Sequence, residues 1–361
     1  MATIEQVEEK LKEFIDPYME SDLVSAHCVK NTQVDGSKAI VDIELGFPHK
    51  GYEKELSEKL STLLTELDGI DAVQINLSSR IVVHAVQKGV QPIKGVKNIV
   101  AVASGKGGVG KSTTTVNIAL ALAAEGATVA VLDADIYGPS MPRMLGITGK
   151  PESEDGQSLE PLVNYNIQTM SIGFLVDDDT PMIWRGPMVT QALEQLFKDT
   201  RWKDVDYLVV DLPPGTGDVQ LTLAQKIPVS GAVIVTTPQD IALLDARKGL
   251  KMFQKVNVPV LGVVENMSTH ICSNCGHEER IFGEGGGLRM SEEENVALLG
   301  TLPLDMSIRQ LADDGKPTVV SEPDSRITEL YVDIARKVGA KLALKARDYS
   351  NKFPKIVIKN D

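Results

Sequence analysis

Aromatic residues make up 4% of this chain, with two tryptophans, seven tyrosines and seven phenylalanines, so the interior must be built from aliphatic side chains. Cysteine is scarcer. Three residues in a chain of 361 make no disulfide framework, and two of them fall in one Cys-x-x-Cys, a pairing that in a reducing compartment points to metal binding or redox chemistry. Positive charge is in deficit, with 37 Lys and Arg against 50 Asp and Glu and a formal net charge of −13. A broad nucleic-acid-binding face is therefore not expected, because it needs cations against phosphates. No apolar run approaches the ~20 residues of a membrane span. The stretch Met1 to Lys12 is acidic and of helical pattern, with neither the basic start nor the apolar centre of a secretory signal. The expectation is a cytoplasmic protein with neither nucleic acid nor membrane as partner.

Glycine, by contrast, is concentrated where it matters. Ser104-Gly105-Lys106-Gly107-Gly108-Val109-Gly110-Lys111-Ser112-Thr113 fits G-x-x-x-x-G-K-S/T from Gly105 to Ser112. Before it runs Asn98–Ala103, short, apolar and β-prone. After it comes Thr113–Ala124, rich in Ala and Leu and closed by Glu125-Gly126, the pattern of a helix with a glycine stop. Strand, glycine loop and helix make a phosphate cradle: backbone N–H groups converge on one anion, and the helix N-terminus adds partial positive charge. Lys111 then sits between the β- and γ-phosphates of ATP, and the Ser112 hydroxyl holds Mg²⁺. Gly105, Lys106, Gly107, Gly108, Val109, Gly110 and Thr113 complete the nucleotide-binding segment. The competing reading, a glycine-rich turn that matches by chance, does not account for the flanking strand and helix.

Further acids fall at strand ends. Thr128–Leu132 is an apolar run ending in Asp133-Ala134-Asp135, and carboxylates at such ends face the ligand crevice of an open parallel sheet. Asp135 is assigned to orient the attacking water and Asp133 to support the Mg²⁺ shell; turn or helix capping competes with both, most seriously for Asp133. Tyr207–Val210 ends in Asp211, a Walker B pattern whose carboxylate reaches Mg²⁺. The loop Leu212–Asp218 follows directly, and Gly215 can present an N–H to the γ-phosphate. Arg185, in Trp184-Arg185-Gly186-Pro187, reads as a surface or interface cation. Apolar strands at 231–236 and 260–267 alternate with a helix at 241–253. The pattern predicts a doubly wound parallel α/β sheet.

Ahead of that unit, residues 1–90 read as a small α+β domain. A helix is expected over Ile4–Phe14, an alternating strand over Ala39–Leu45, an amphipathic helix over Tyr52–Leu67 and a further strand over Ala72–Leu77. Residues 91–97, with Pro92 and Gly95, form the linker. The nucleotide domain spans 98–348 and a tail spans 349–361. Cys28 in the first domain reads as a small buried residue.

Cys272 and Cys275 supply two thiolates from one turn, too few for a closed metal site. Four readings compete. A symmetric dimer pools two pairs around a 4Fe–4S cluster; one chain recruits His270 or His277 for zinc; the pair is a redox dithiol; or it is a structural turn.

The run Gly-Lys-Gly-Gly-Val-Gly-Lys-Ser-Thr at 105–113 resembles the deviant Walker A of the MinD/ParA/nitrogenase-iron-protein group. The resemblance implies that Lys106 reaches the partner's nucleotide across a homodimer, that Asp135 serves the water and that Asn266 bonds the adenine edge. With Asp-Ala-Asp-Ile-Tyr-Gly-Pro-Ser at 133–140, Asp-Leu-Pro-Pro-Gly-Thr-Gly-Asp at 211–218 and the Cys-x-x-Cys, residues 98–345 resemble the Mrp/NBP35 (ApbC-type) iron–sulfur cluster carrier ATPases. Residues 1–90 resemble the MIP18-like (DUF59) domain. What this implies is a slow P-loop ATPase that accepts a 4Fe–4S cluster from scaffold proteins and passes it to apo iron–sulfur proteins. Two alternatives stand beside it. A MinD/ParA-type positioning or partitioning ATPase calls for a membrane helix or basic DNA-binding face. An electron-transfer reductase like the nitrogenase iron protein calls for cluster cysteines far apart in sequence.

Overall fold

A computed structural model describes residues 2–84, 86, 87, 90–175, 186–272 and 274–350, with the side chains of 186, 187 and 346–350 left aside. Trp184, Arg185 and residues 351–361 of the expected tail lie outside the described residues. Two compact units result: residues 1–85 together with those from Gly339 onward, and Val86–Val338.

The smaller unit carries a three-stranded sheet. Val29–Asp35 and Lys38–Leu45 form an antiparallel hairpin across Gly36-Ser37, and Gly36 (φ 59°) supplies the positive φ that such a tight turn needs. Ala72–Ser79 lies parallel to Lys38–Leu45, as expected of strands separated by the helix Glu53–Thr65. Burial alternates along Lys38–Leu45, so one face meets the core. That core is Val7, Leu11, Leu23, Val41, Ile43, Leu45, Leu56, Leu60 and Leu64, with Tyr52 wedged against Tyr18. Ala340 joins it, and a Cβ on Gly46 would stand 2.6 Å from Ala343 Cβ. The last helix, Arg326–Ser350, thus begins in the larger unit and finishes in the smaller. The expected boundary between 348 and 349 put all but the last two residues of this helix with the nucleotide domain; its buried apolar residues continue past Val338 into Ala340, Leu342 and Ala343, which lie in the stretch grouped with the smaller unit.

The larger unit is built on an eight-stranded sheet. Its order is Leu298–Thr301, Val260–Glu265, Gly231–Thr236, Val96–Ala103, Val205–Asp211, Val129–Asp133, Ile167–Ser171 and Leu162–Asn164. All neighbours are parallel except the Leu162–Asn164 edge. The doubly wound architecture follows as predicted. Val129–Asp133, Gly231–Thr236 and Val260–Glu265 are buried along their whole length, which is why their sequences run apolar without alternation. The chain enters at the central strand Val96–Ala103, builds one side, returns beside it with Val205–Asp211 and then builds the other. The winding reverses beside the glycine loop, and crevices of such sheets open at that reversal.

Candidate nucleotide and cysteine sites

The glycine loop leaves the end of Val96–Ala103 and enters the helix Lys111–Ala124. Two glycines are required by close approach. A Cβ on Gly105 would lie 2.1 Å from the Asp245 carbonyl carbon, and one on Gly110 would lie 2.1 Å from Asn266 Nδ2. Gly110 is also left-handed, with φ 79°, a conformation costly to residues with a Cβ. As the N-cap it offers no side-chain oxygen to the first helical turn, so those N–H groups stay available to an anion.

Asp211 is fully buried at the end of its strand. Lys111 Nζ lies 2.6 Å from its Oδ1. Ser112 Oγ donates to Oδ2 at 2.6 Å and Thr115 Oγ1 donates to Oδ1 at 2.9 Å. Lys111 Nζ also donates to Ser112 Oγ at 3.2 Å and stands 4.0 Å from Asp135 Oδ2. The lysine that would hold phosphate thus neutralises the carboxylate expected to reach Mg²⁺. A hydroxyl and carboxylates are hard oxygen donors that suit Mg²⁺, so the residues present fit that ion. Burial pushes the Asp135 carboxyl up, with the Asp211 charge adding to the rise and Lys111 opposing it. Thr115 was not anticipated, although it lies four residues after Lys111 and three after Ser112 on one helical face.

Asp133, expected to support the Mg²⁺ shell, is met by donors from its own loop and from a neighbouring strand. Its Oδ1 accepts from the Asp135 N–H, and its Oδ2 accepts from the N–H groups of Ser140 and Met141 and from Ser171 Oγ. Both oxygens therefore hold the 135–141 loop in shape, the capping role that competed for this residue. Burial and then the neighbouring Asp211 charge push its carboxyl up to about 7, against the pull of those donors. Ser171 pairs with Asp133 in strand register, a partnership that depends on strand order and leaves no mark in the sequence.

Three further residues have other partners than anticipated. The Gly215 N–H donates to the Ser104 carbonyl at 2.9 Å. Lys106 Nζ donates to Gln239 Oε1 of its own chain at 3.5 Å. Asn266 Nδ2 donates to the Val109 carbonyl at 2.9 Å, and its Oδ1 accepts from the Met267 N–H at 2.9 Å. The amide expected at the adenine edge thus also meets the backbone of the glycine loop.

The cysteines sit on a hairpin whose arms, His270–Ile271 and Glu278–Glu279, pair antiparallel. The Cys272 N–H donates to the His277 carbonyl and the Gly276 N–H to the Cys272 carbonyl. Cys272 is half-buried and Cys275 exposed. Donation from the Asn274 and Cys275 N–H groups, then from the Cys275 thiol, holds the Cys272 thiol below the usual range, and a more accessible thiolate is a better metal ligand. Among the described residues no third His, Cys, Asp or Glu gathers with the pair to hold a metal ion. His277 lies 3.9 Å from Glu279.

The fold and the loop define a P-loop NTPase of the type carrying a second lysine. The profile of the NUBPL iron-transfer P-loop NTPase matches residues 95–339, and that of an iron–sulfur cluster assembly protein matches residues 4–77. The chain belongs to the NUBPL iron-transfer P-loop NTPase family. It is 56% identical over 304 residues to the iron–sulfur cluster carrier protein of Escherichia coli K12, covering 83% of this chain and 82% of that one. To the iron–sulfur cluster transfer protein NUBPL of mouse it is 53% identical over 254 residues, covering 70% and 80%. Among solved structures, a nucleotide-binding protein of Archaeoglobus fulgidus in complex with ADP superposes with TM-score 0.57 at 36% identity, covering 66% of this chain and 93% of that one. The cell division ATPase MinD of Pyrococcus furiosus shares the fold, with TM-score 0.51 at 22% identity over 67% and 98%.

Proposed function

We propose that this protein is an ATP-dependent iron–sulfur cluster carrier, cytoplasmic and homodimeric, that takes a 4Fe–4S cluster from scaffold proteins and delivers it to apo iron–sulfur proteins. The observation that carries the reading is the accessible Cys272–Cys275 pair with no third ligand beside it among the described residues. Two thiolates leave a cluster half-ligated, and a second copy related by a two-fold axis contributes two more. The names of the relatives and the ADP held by the Archaeoglobus fulgidus protein support cargo and nucleotide alike.

At the nucleotide, Lys111 leaves Asp211 for the β- and γ-phosphates; Ser112 and Asp211 would hold Mg²⁺, which would neutralise phosphate charge. Asp135, within 4.0 Å of Lys111, orients water for attack on the γ-phosphorus; the bond to the β–γ bridging oxygen breaks, ADP leaves with that oxygen, and the proton of the water passes to the released phosphate. Lys106 adds its charge to the nucleotide of the partner. The Gly215 loop, tied to Ser104, is placed to respond when the γ-phosphate leaves. Catalysis of this kind rests on positioning and electrostatics.

Anaerobic reconstitution with iron and sulfide tests the reading. Wild type is expected to take up iron with thiolate-to-iron absorbance and to sediment as a dimer. Cys272→Ala and Cys275→Ala are expected to take up none. Equal iron uptake in both variants would remove the cysteines from the site.

A further inference from the structure

The Asn266 side chain does two things at once. It donates to the Val109 carbonyl of the glycine loop at 2.9 Å, and it accepts from the N–H of Met267 at 2.9 Å. Met267 is a non-glycine residue in the left-handed region, with φ 56°. Such a residue is held against its preference by its surroundings, at a cost of order 1–3 kcal/mol. Asn266 is among those surroundings, and it touches the loop that receives phosphate.

The chain beyond Met267 leads straight to the cysteines, and it has little slack. Ser268 N–H donates to the Leu302 carbonyl, Leu304 N–H donates to the Thr269 carbonyl, and His270 bridges to Leu304. His270–Ile271 then forms the first arm of the cysteine hairpin. No glycine interrupts 266–272. The glycines lie on the far side of the pair, at Gly276, Gly283 and Gly285, all with positive φ. The return segment is tied at its other end, where the Gly287 N–H donates to the Glu265 carboxylate. The hairpin is therefore slung between neighbouring residues, Glu265 and Asn266, with a stiff arm on the Asn266 side.

We propose that Asn266 is a positioning residue that couples nucleotide in the glycine loop to the cysteine pair. A shift of the Val109 carbonyl when phosphate binds changes the Asn266 amide, the amide changes the left-handed turn at Met267, and the turn re-aims the arm carrying Cys272. The coupling deepens the carrier reading and takes its biological meaning from it, but it is measured without any cluster. Gly110 fits the same arrangement, since a Cβ there would meet Asn266 Nδ2.

The test is the alkylation rate of Cys272 in reduced, metal-free protein, resolved by peptide mass analysis, with and without saturating Mg²⁺ and a non-hydrolysable ATP analogue. In wild type the nucleotide is expected to change that rate by about fivefold or more, the lower end of ordinary site-to-site coupling. Asn266→Asp replaces the donor to Val109 with an acceptor, and the ratio of rates is expected to fall to about one at full nucleotide occupancy, measured by direct titration. Met267→Gly leaves both Asn266 bonds in place but slackens the turn; because the Met267 Cε lies 3.9 Å from where a Cβ on Gly110 would stand, the variant is compared at full nucleotide occupancy, set by direct titration, and there it too is expected to lose the ratio. A wild-type ratio near one overturns the proposal, and so does a wild-type ratio retained in Met267→Gly. Iron uptake by the same wild-type preparation is scored separately. Failure to load iron sinks the carrier reading and leaves the coupling result standing on its own.

Discussion

Arg336 and Glu125 form a buried two-pronged pair in the larger unit, and breaking it tests how the phosphate-loop helix is held. Arg336 Nε donates to Glu125 Oε2 at 2.8 Å and Nη2 donates to Oε1 at 3.1 Å. The residues are 8% and 5% exposed. Glu125 is the C-cap of the helix Lys111–Ala124, where the terminal carbonyls already concentrate negative charge. A carboxylate there needs its cation. Arg336→Met keeps most of the aliphatic volume and removes both donors, leaving Glu125 buried against the negative end of the helix. Removing one partner of a buried pair costs about 3–5 kcal/mol. At ~2–4 °C per kcal/mol for a unit of this size, the melting temperature should fall by roughly 6–20 °C. Because the penalty is that of a stranded charge, the double variant Glu125→Leu with Arg336→Met should recover most of the loss. Thermal and urea unfolding followed by circular dichroism read both quantities. A loss below about 1 kcal/mol in the single variant, or a double variant no more stable than the single, would refute the reasoning.

Three more outcomes are expected. Thr115→Val, nearly isosteric, strips a hydroxyl from buried Asp211 and should lower stability by about 1.5–3 kcal/mol, the range for a bond to a charged group; unchanged urea midpoints would contradict it. Gly110→Ala forces a Cβ to within 2.1 Å of Asn266 Nδ2 at φ 79°, so nucleotide affinity by titration should fall well below that of Gly108→Ala, where φ is 81° and nothing lies within 4 Å; equal affinities would remove the argument from crowding. For Asp133, a folded-state carboxyl raised to about 7 means the native chain binds its proton more tightly than the unfolded chain. Its contribution is complete below the unfolded value near 4 and is lost as pH rises through about 7. The stability advantage of wild type over Asp133→Asn should therefore be larger at about pH 5 than at about pH 8, and urea titrations showing the reverse would discard the assignment.

The glycine loop was legible because its chemistry leaves few substitutes: the spacing from Gly105 to Ser112 and its flanking strand and helix identify a phosphate cradle on their own. The buried strands were legible because each is apolar on both faces. The edge strand Leu162–Asn164 and the outer strand Leu298–Thr301 were not, being too short to show a period. Site roles were harder. Asp133 and Asp211 both end buried strands and read alike in sequence. Their difference comes from neighbours, the loop amides above Asp133 and the hydroxyls of Ser112 and Thr115 above Asp211. The resemblance implied that Asn266 meets a base, which an amide can do by donating and accepting; the nearness of Val109, set by sheet order, gives that amide a further use.

The last helix has a consequence for how the chain is made. Residues 2–84 leave the ribosome before the rest of this sequence, yet their hydrophobic interior awaits Ala340 and Leu344. At ~5–20 residues per second, on the order of 10–50 s pass before those residues emerge. The N-terminal segment is born early and sealed late. During that interval the apolar faces that Ala340 and Leu344 later cover stay open to water.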